Sequence, residues 1–376
     1  MKVLHVTLAS TYRIGQSYQE NLLTKFHKLM GHEVFVITKD DKIHYQYEII
    51  DNGNKIFYLK HKRNNFIERI ISEFFTYERV EGLKYLIEKI SPDIIFVHNG
   101  FFLDAPVVIK YCKSNPKVKL FVDNHADYYN SPIKNPIKKI LIGYYPRMFS
   151  KHAIKYWGTT PWRVKYLQDV YKIPSLKTDL LLMGGDDTLI DFKNKQNIRD
   201  SIRQNIGLDG DDFVILTGGK IDLTKNIHLL IEAVYRINNN RIKLVVFGVP
   251  DYTVKSIIEP FIKSNNIIYI GYIKSEKIYN WFLSCDLVCF PGTHSVLWEQ
   301  ALACGIPAIF KYWEGMTHVD VGGNCCFLYK NSLNEIKDTI LKIFEDKDLY
   351  KKMQKESKKA ISKFSYKAIA QKSIEI

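Results

Sequence analysis

Phe213-Val214-Ile215-Leu216-Thr217-Gly218-Gly219-Lys220-Ile221-Asp222-Leu223-Thr224-Lys225-Asn226 passes from an apolar run, through paired glycines, to a turn bracketed by lysines. A short, continuous apolar run such as 213–217 fits a strand buried on both faces, the situation of strands in a parallel sheet. Residues 226–237 read as a helix that opens directly after the turn. Strand, glycine-bearing loop and helix together form the opening of a βαβ unit, and this unit predicts an α/β fold.

The same rhythm extends in both directions. Downstream, 242–247, 267–270 and 287–290 read as strands, 276–284 and 298–304 as helices, and 308–311 as extended. Upstream, a strand at 2–8 precedes a helix at 18–30, where Leu22, Leu23, Phe26, Leu29 and Met30 recur at helical spacing. Gly31-His32 closes that helix and 33–38 is the next strand. A helix over 80–90 follows through Val80, Leu83, Leu86, Ile87 and Ile90, and Pro92-Asp93 then turns into a strand at 94–98, with another at 120–123. A chain of 376 residues exceeds what one hydrophobic core usually holds, so two doubly wound parallel-sheet domains are expected. The boundary falls at the Gly-Gly-Asp-Asp turn, 184–187, and the polar stretch 193–204. The sequence contains no internal repeat and no low-complexity segment.

Composition narrows the class. At 46% hydrophobic and 25% charged, the chain has the balance of a soluble globular protein. No run approaches the roughly 18 apolar residues that span a bilayer, and the N-terminus enters a strand without a cleavable signal pattern, so a cytoplasmic location is expected. Cys112, Cys285, Cys289, Cys304, Cys325 and Cys326 sit in apolar segments without CxxC spacing, which reads as buried reduced thiols rather than disulfides or a zinc site. The 54 Lys and Arg outnumber the 40 Asp and Glu, giving a net charge of +14. That charge suits a polyanionic partner, either nucleic acid, anionic lipid or a phosphorylated substrate, and is also what an AT-rich bacterial genome produces with no such partner.

In open α/β sheets ligands bind beyond the carboxyl ends of the strands. The loops there hold 10–15, Asn99-Gly100 and 124–127 in the first half, and 218–225, Gly248-Val249, Gly271-Tyr272 and 291–296 in the second. In the loop after 217, glycines let the backbone approach a ligand, while Lys220 and Lys225 supply charge to a phosphate. The G-x4-G-K-[ST] order of a Walker loop is absent. After the strand at 287–290 comes Pro291-Gly292-Thr293-His294-Ser295-Val296-Leu297-Trp298-Glu299. A carboxylate in the first turn of a helix can accept two hydrogen bonds from a vicinal diol such as ribose, and it also suits the helix dipole with no ligand at all.

Together the two segments resemble the donor site of family 4 retaining GT-B glycosyltransferases. There a Gly-Arg-x4-Lys-Gly segment binds the donor diphosphate, and a Glu-x7-Glu segment ends in Glu-Ala-x-Ala-x-Gly-x-Pro. Lys220 stands at the arginine, Lys225 at the lysine and Glu299 at the second glutamate, with Ala303, Gly305 and Pro307 in register. Gly31-His32-Glu33-Val34, Pro92-Asp93-Ile94-Ile95, His125 and Met183-Gly184-Gly185-Asp186 match further family segments, so the similarity runs along nearly the whole chain.

The resemblance implies a GT-B fold, two Rossmann-like domains facing a central cleft: 1–185 acceptor-binding, 186–362 nucleotide-sugar-binding, and 363–376 a helix packing back toward the first. It implies transfer of a sugar from a UDP- or GDP-sugar to a glycan or lipid-linked acceptor, in bacterial surface polysaccharide synthesis, with no cofactor and no metal. Gly15, Gly219, Lys220, Lys225, His294, Ser295, Val296 and Glu299 would bind the donor, with Lys220 and Lys225 stabilising the charge of the departing β-phosphate. His125 and Asp127 would face the acceptor, His125 contacting the sugar or its acceptor. A satisfied structural histidine is the other reading of His125, favoured by His98 and Asn99. Asp209-Gly210-Asp211 is similar to the metal-binding Asp-x-Asp of GT-A enzymes, but it precedes a strand and so lies at the wrong sheet edge.

Three positions depart from the family. The first glutamate would fall at Pro291, leaving His294 or the N–H groups of 293–296 to meet the transferred sugar. Lys220 replaces arginine, keeping charge without the bidentate fork. Ala126 replaces the aspartate after His125, with Asp127 one residue on. The missing carboxylate argues against a nucleotide-sugar 2-epimerase, the enzyme alternative. A nucleic-acid-binding protein, the alternative raised by charge, would leave the ordered donor segments unexplained, so no nucleic acid partner is expected.

Between residues 138 and 168, Lys138, Lys139, Arg147, Lys151, Lys155, Arg163 and Lys165 alternate with Tyr144, Tyr145, Phe149, Tyr156, Trp157, Trp162 and Tyr166. With Lys60, Lys62 and Arg63, this segment suits peripheral attachment to an anionic membrane surface. An ordinary helix with a solvated basic face and a buried aromatic one is the other reading, and the segment favours it.

Overall fold

The computed structural model describes residues 1–39, 47–51, 53–62, 79–131 and 143–375. The chain divides into two compact units, Met1–Leu182 with Ile369–Ile376, and Met183–Ala368.

The first unit is built on β1 (Lys2–Thr7), β2 (Glu33–Lys39), β3 (Tyr47–Asp51), β4 (Asn54–Leu59), β5 (His61–Lys62), β6 (Arg79–Val80), β7 (Ile94–His98), β8 (Lys119–Asn124), β9 (Lys155–Gly158) and β10 (Thr178–Leu180). Eight of these form one sheet in the order β10-β9-β8-β7-β1-β2-β4-β3, and β5 pairs with β6. Every pairing in the large sheet is parallel except the β3–β4 hairpin. Val3, Leu4 and Val6 of β1 and Ile95, Phe96 and Val97 of β7 are buried, as central parallel strands must be. The helix Gln19–Leu29 buries Leu22, Leu23 and Phe26, each burial contributing about 2 kcal/mol.

The second unit carries β11 (Phe213–Ile221), β12 (Ile242–Pro250), β13 (Ile267–Gly271), β14 (Leu287–Phe290), β15 (Ala308–Lys311) and β16 (Cys325–Leu328). Its sheet, ordered β13-β12-β11-β14-β15-β16, is parallel throughout. Numbered within the unit this is 3-2-1-4-5-6, the doubly wound order whose ligand crevice opens where the chain reverses direction across the sheet. That switch point lies between β11 and β14, and its counterpart in the first unit lies between β1 and β7.

Several sequence expectations change. The helix expected over 80–90 begins at Leu83, because Val80 pairs with His61 and Gly82, at φ 82°, turns the backbone between strand and helix. The strand expected over 213–217 runs on to Ile221: Gly218 pairs with Phe247 and Gly219 with Gly248, so the glycines lie within the ladder. A Cβ on Gly248 would collide with the Gly219 carbonyl, so this close approach requires glycine. The polar stretch 193–204 is mostly the helix Lys195–Asn205, whose Arg199 and Arg203 each reach Asp286 at 2.6 Å.

Candidate functional site

At the switch point of the second unit, two loops are stapled together. Asp222 caps the turn after β11, accepting from the N–H groups of Thr224 (2.9 Å) and Lys225 (3.2 Å). Asn226 takes φ 53°, and its side-chain amide donates to Pro291 O at 3.1 Å in the loop after β14. Thr293 N donates to Thr224 O at 3.0 Å, and a Cβ on Gly292 would strike the Lys225 backbone.

Lys225 completes the staple. Its ammonium donates to the carbonyls of Thr293 (2.7 Å) and His294 (3.1 Å), and burial lowers its pKa. Its charge is thus already engaged in holding the second loop. Lys220 is the exposed cation here, 75% accessible and 3.0 Å from Asp222. Gly219 is pressed against Leu297, and Ser295 O accepts from Trp298 N at 3.0 Å as Val296 caps the helix Leu297–Ala303.

Glu299 is fully buried in that helix. His294 Nε2 at 2.7 Å and His318 Nε2 at 2.9 Å both reach the same oxygen, Oε1. Burial pushes the carboxyl up, but the two imidazoles outweigh it and hold it at about 2. Oε2 is buried with no hydrogen-bond partner, an arrangement that costs free energy unless something else meets it. His294, Glu299 and His318 offer ligand atoms within 4.8 Å of one another, a His-Glu-His set able to take a divalent cation. The same nitrogens and Oε1 also satisfy each other without one. His318 was not singled out in the sequence, where nothing marks it; it reaches Glu299 from 19 residues away.

In the first unit, His125 follows β8, with its Nε2 3.6 Å from Asp123 Oδ2. Asp123 is fully buried, accepts from His98 Nδ1 at 2.8 Å on Oδ2 and from Asn99 N at 2.9 Å on Oδ1. Burial would raise its pKa, yet His98 and His125 hold it well below the carboxylate range. Asp127 accepts from the N–H groups of Tyr129 and Asn130, both at 2.9 Å, and pairs with Arg163 at 3.2 Å, so its carboxylate holds the loop. Gly15, at φ 75°, lies in the loop after β1.

The basic-aromatic segment is two helices, Tyr144–His152 and Pro161–Asp169, around β9. Phe149, Tyr156, Trp157 and Tyr166 are core residues, Arg163 holds Asp127, and Lys165 lies over Trp162, 5.4 Å from the ring centroid. Lys138, Lys139 and Arg63 lie outside the described residues. Among the described residues, no helix is long and apolar enough to cross a membrane.

Comparison with known proteins identifies this architecture. A glycosyltransferase from Rickettsia africae superposes with TM-score 0.72 at 16% identity, covering 99% of this chain and 96% of its own. Anabaena Alr3699/HepE in complex with UDP gives TM-score 0.67 at 14% identity over 99% and 98%. The fold is GT-B. Residues 198–360, most of the second unit, match the family described as Glycosyl transferases group 1. Among curated proteins, an uncharacterized glycosyltransferase of Methanocaldococcus jannaschii is 20% identical over 55% of this chain and 55% of its own length. The lipopolysaccharide 1,2-N-acetylglucosaminetransferase of Salmonella typhimurium is 25% identical over 47% and 51%. The aligned part thus spans about half the length of these curated relatives.

Proposed function

We propose that this protein is a metal-independent, retaining glycosyltransferase, taking a sugar from a UDP- or GDP-sugar held by the second unit and passing it to a glycan or lipid-linked acceptor in surface polysaccharide synthesis. The observation that carries the reading is the unpartnered Oε2 of Glu299 at the switch point of the segment that matches group 1 glycosyl transferases. With Oε1 held by two imidazoles, Oε2 is the acceptor that this carboxylate would offer a ribose hydroxyl. Departure of the nucleotide puts negative charge on its β-phosphate. The exposed Lys220 ammonium answers that charge, while Lys225 holds the 293–294 backbone in place. His125 would meet the sugar or the acceptor hydroxyl, with Asp123 at its back.

The UDP bound by HepE supports a uridine donor, and the Salmonella relative supports a lipopolysaccharide-like acceptor. The test is calorimetric titration of UDP-glucose and GDP-mannose in excess EDTA, into wild type and Glu299→Gln. Binding to wild type that is lost in the variant is expected. Equal binding by both proteins would remove Glu299 from the site, and binding only after Mg²⁺ is restored would overturn the metal-free reading. With a productive donor, proton NMR of the new anomeric centre reads retention or inversion.

A further inference from the structure

Four histidine and aspartate side chains in the first unit form a continuous buried line. His27 Nε2 lies 3.1 Å from the carbonyl of Ala370, His27 Nδ1 lies 3.0 Å from His5 Nε2, His5 Nδ1 lies 2.9 Å from His98 Nε2, and His98 Nδ1 lies 2.8 Å from Asp123 Oδ2. All four side chains are 2% exposed or less. They come from the helix Gln19–Leu29, β1, the end of β7 and the end of β8, so only the folded sheet assembles them.

The line has an acceptor at each end, a carbonyl at Ala370 and a carboxylate at Asp123. Its four links each need one N–H, but three neutral imidazoles carry only three protons. The hydroxyl of Ser373 lies 2.9 Å from His27 Nε2 and could supply the fourth, but it donates to Ala370 O at 2.8 Å. We propose that His5, His27 and His98 hold one extra proton between them as the counter-charge of Asp123, making all three positioning residues for His125.

Placement follows from the surroundings. Burial lowers His5 well below its ordinary value and His27 to about 3, so neither keeps the proton. Asp123 can only accept, so the geometry places the extra N–H at the His98 end of the line, between Asp123 and His5. Among the described residues, the other titratable groups around the line are His32, whose ring centre is 6.3 Å from that of His27, the buried Tyr156 and His125. His125 stands 3.6 Å from Asp123 Oδ2, the same oxygen that His98 holds, and its side chain is 33% exposed, so the line fixes the carboxylate that this ring faces. The proton count does not depend on what reaction the protein performs.

Histidine-selective ¹⁵N NMR of the full chain at neutral pH tests this, because protonated and bare ring nitrogens resonate in separate regions. Of the six ring nitrogens of His5, His27 and His98, four are expected to carry protons; three would overturn the proposal. Ser373→Ala should leave the count at four, and a rise from three to four would show the hydroxyl to be the missing donor instead. His5→Phe removes two links, so His27 and His98 should then carry one proton each. A His98 still doubly protonated would mean that Asp123 alone holds the proton. The His125 ring signals should move in His5→Phe and stay in place in Ser373→Ala; unmoved signals in both would overturn the positioning role. If His5→Phe does not fold, the wild-type and Ser373→Ala counts decide the matter.

Discussion

Asp123 and Glu299 are both fully buried carboxylates held by histidines, one in each unit, and they are finished differently. On Asp123 each oxygen is used: Oδ1 takes the Asn99 N–H, and Oδ2 takes His98 with His125 nearby. On Glu299 both imidazoles share Oε1, and Oε2 is left over. A saturated carboxylate holds its neighbours in place, whereas one with a spare buried oxygen can receive a ligand. The chemistry of the two groups is the same; under the proposed function, the number of acceptor sites left open is what would separate a positioning role from a binding one.

The largest effect should come from Glu299→Gln. Loss of a hydrogen bond to a charged group in the bound donor costs about 1.5–3 kcal/mol, about ten- to a hundredfold in donor affinity. Asp123→Asn should instead leave donor affinity intact and lower stability by about 1–3 kcal/mol, read from urea midpoints. Were Asp123→Asn to abolish donor binding while Glu299→Gln kept it, the comparison would collapse. Lys225→Ala frees the Thr293 and His294 carbonyls and should slow transfer about thirtyfold through about 2 kcal/mol of lost charged hydrogen bonding. Unchanged donor kinetics would reduce the staple to packing.

Acid should distinguish the units as well. Unfolded His27 takes up its proton near 6.5 and folded His27 only near 3, so in that window the unfolded state binds more protons and stability falls as pH falls. Each such group removes about 1.4 kcal/mol per pH unit across its window. Among the described residues the first unit has the fully buried His5 and His27, with the partly exposed His32, in this position against His228 and His318 in the second, so it should open first. Glu299, depressed from 4.5 to about 2, adds to the loss in the second unit only below about 4.5. Amide hydrogen exchange along a pH series reads this order, and earlier opening of residues 183–368 would reverse it.

The smallest effect concerns the surface. With Phe149, Tyr156, Trp157 and Tyr166 in the core, only exposed groups such as Lys151, Lys165 and Tyr144 remain for an anionic membrane. Replacing Lys151 and Lys165 with Gln should weaken binding to anionic vesicles at low salt by about 1 kcal/mol each, measured by co-sedimentation. No change would leave the positive charge without a membrane role.

What the sequence disclosed was local. The alternation of strands and helices and the Lys220, Lys225 and Glu299 spacing are short-range patterns, and they led to the GT-B fold and to one switch point. Gly218 and Gly219 misled because glycine usually ends a strand, whereas here it permits two backbones to touch within the ladder. His318 was missed because a lone histidine has no periodicity to give it away. The line of His27, His5, His98 and Asp123 could not be read at all, since its members are brought together only by strand order.

Ile369–Ile376 belongs to the first unit although residues 183–368 intervene. On the ribosome, therefore, the second unit is made in full before Ala370 and Ser373 arrive to meet His27. At ~5–20 residues per second, that leaves the first unit waiting roughly ten to forty seconds with one end of its histidine line open to solvent. The nascent chain thus completes its later-made half first, and its earlier-made half is closed by residues translated after the other is already whole.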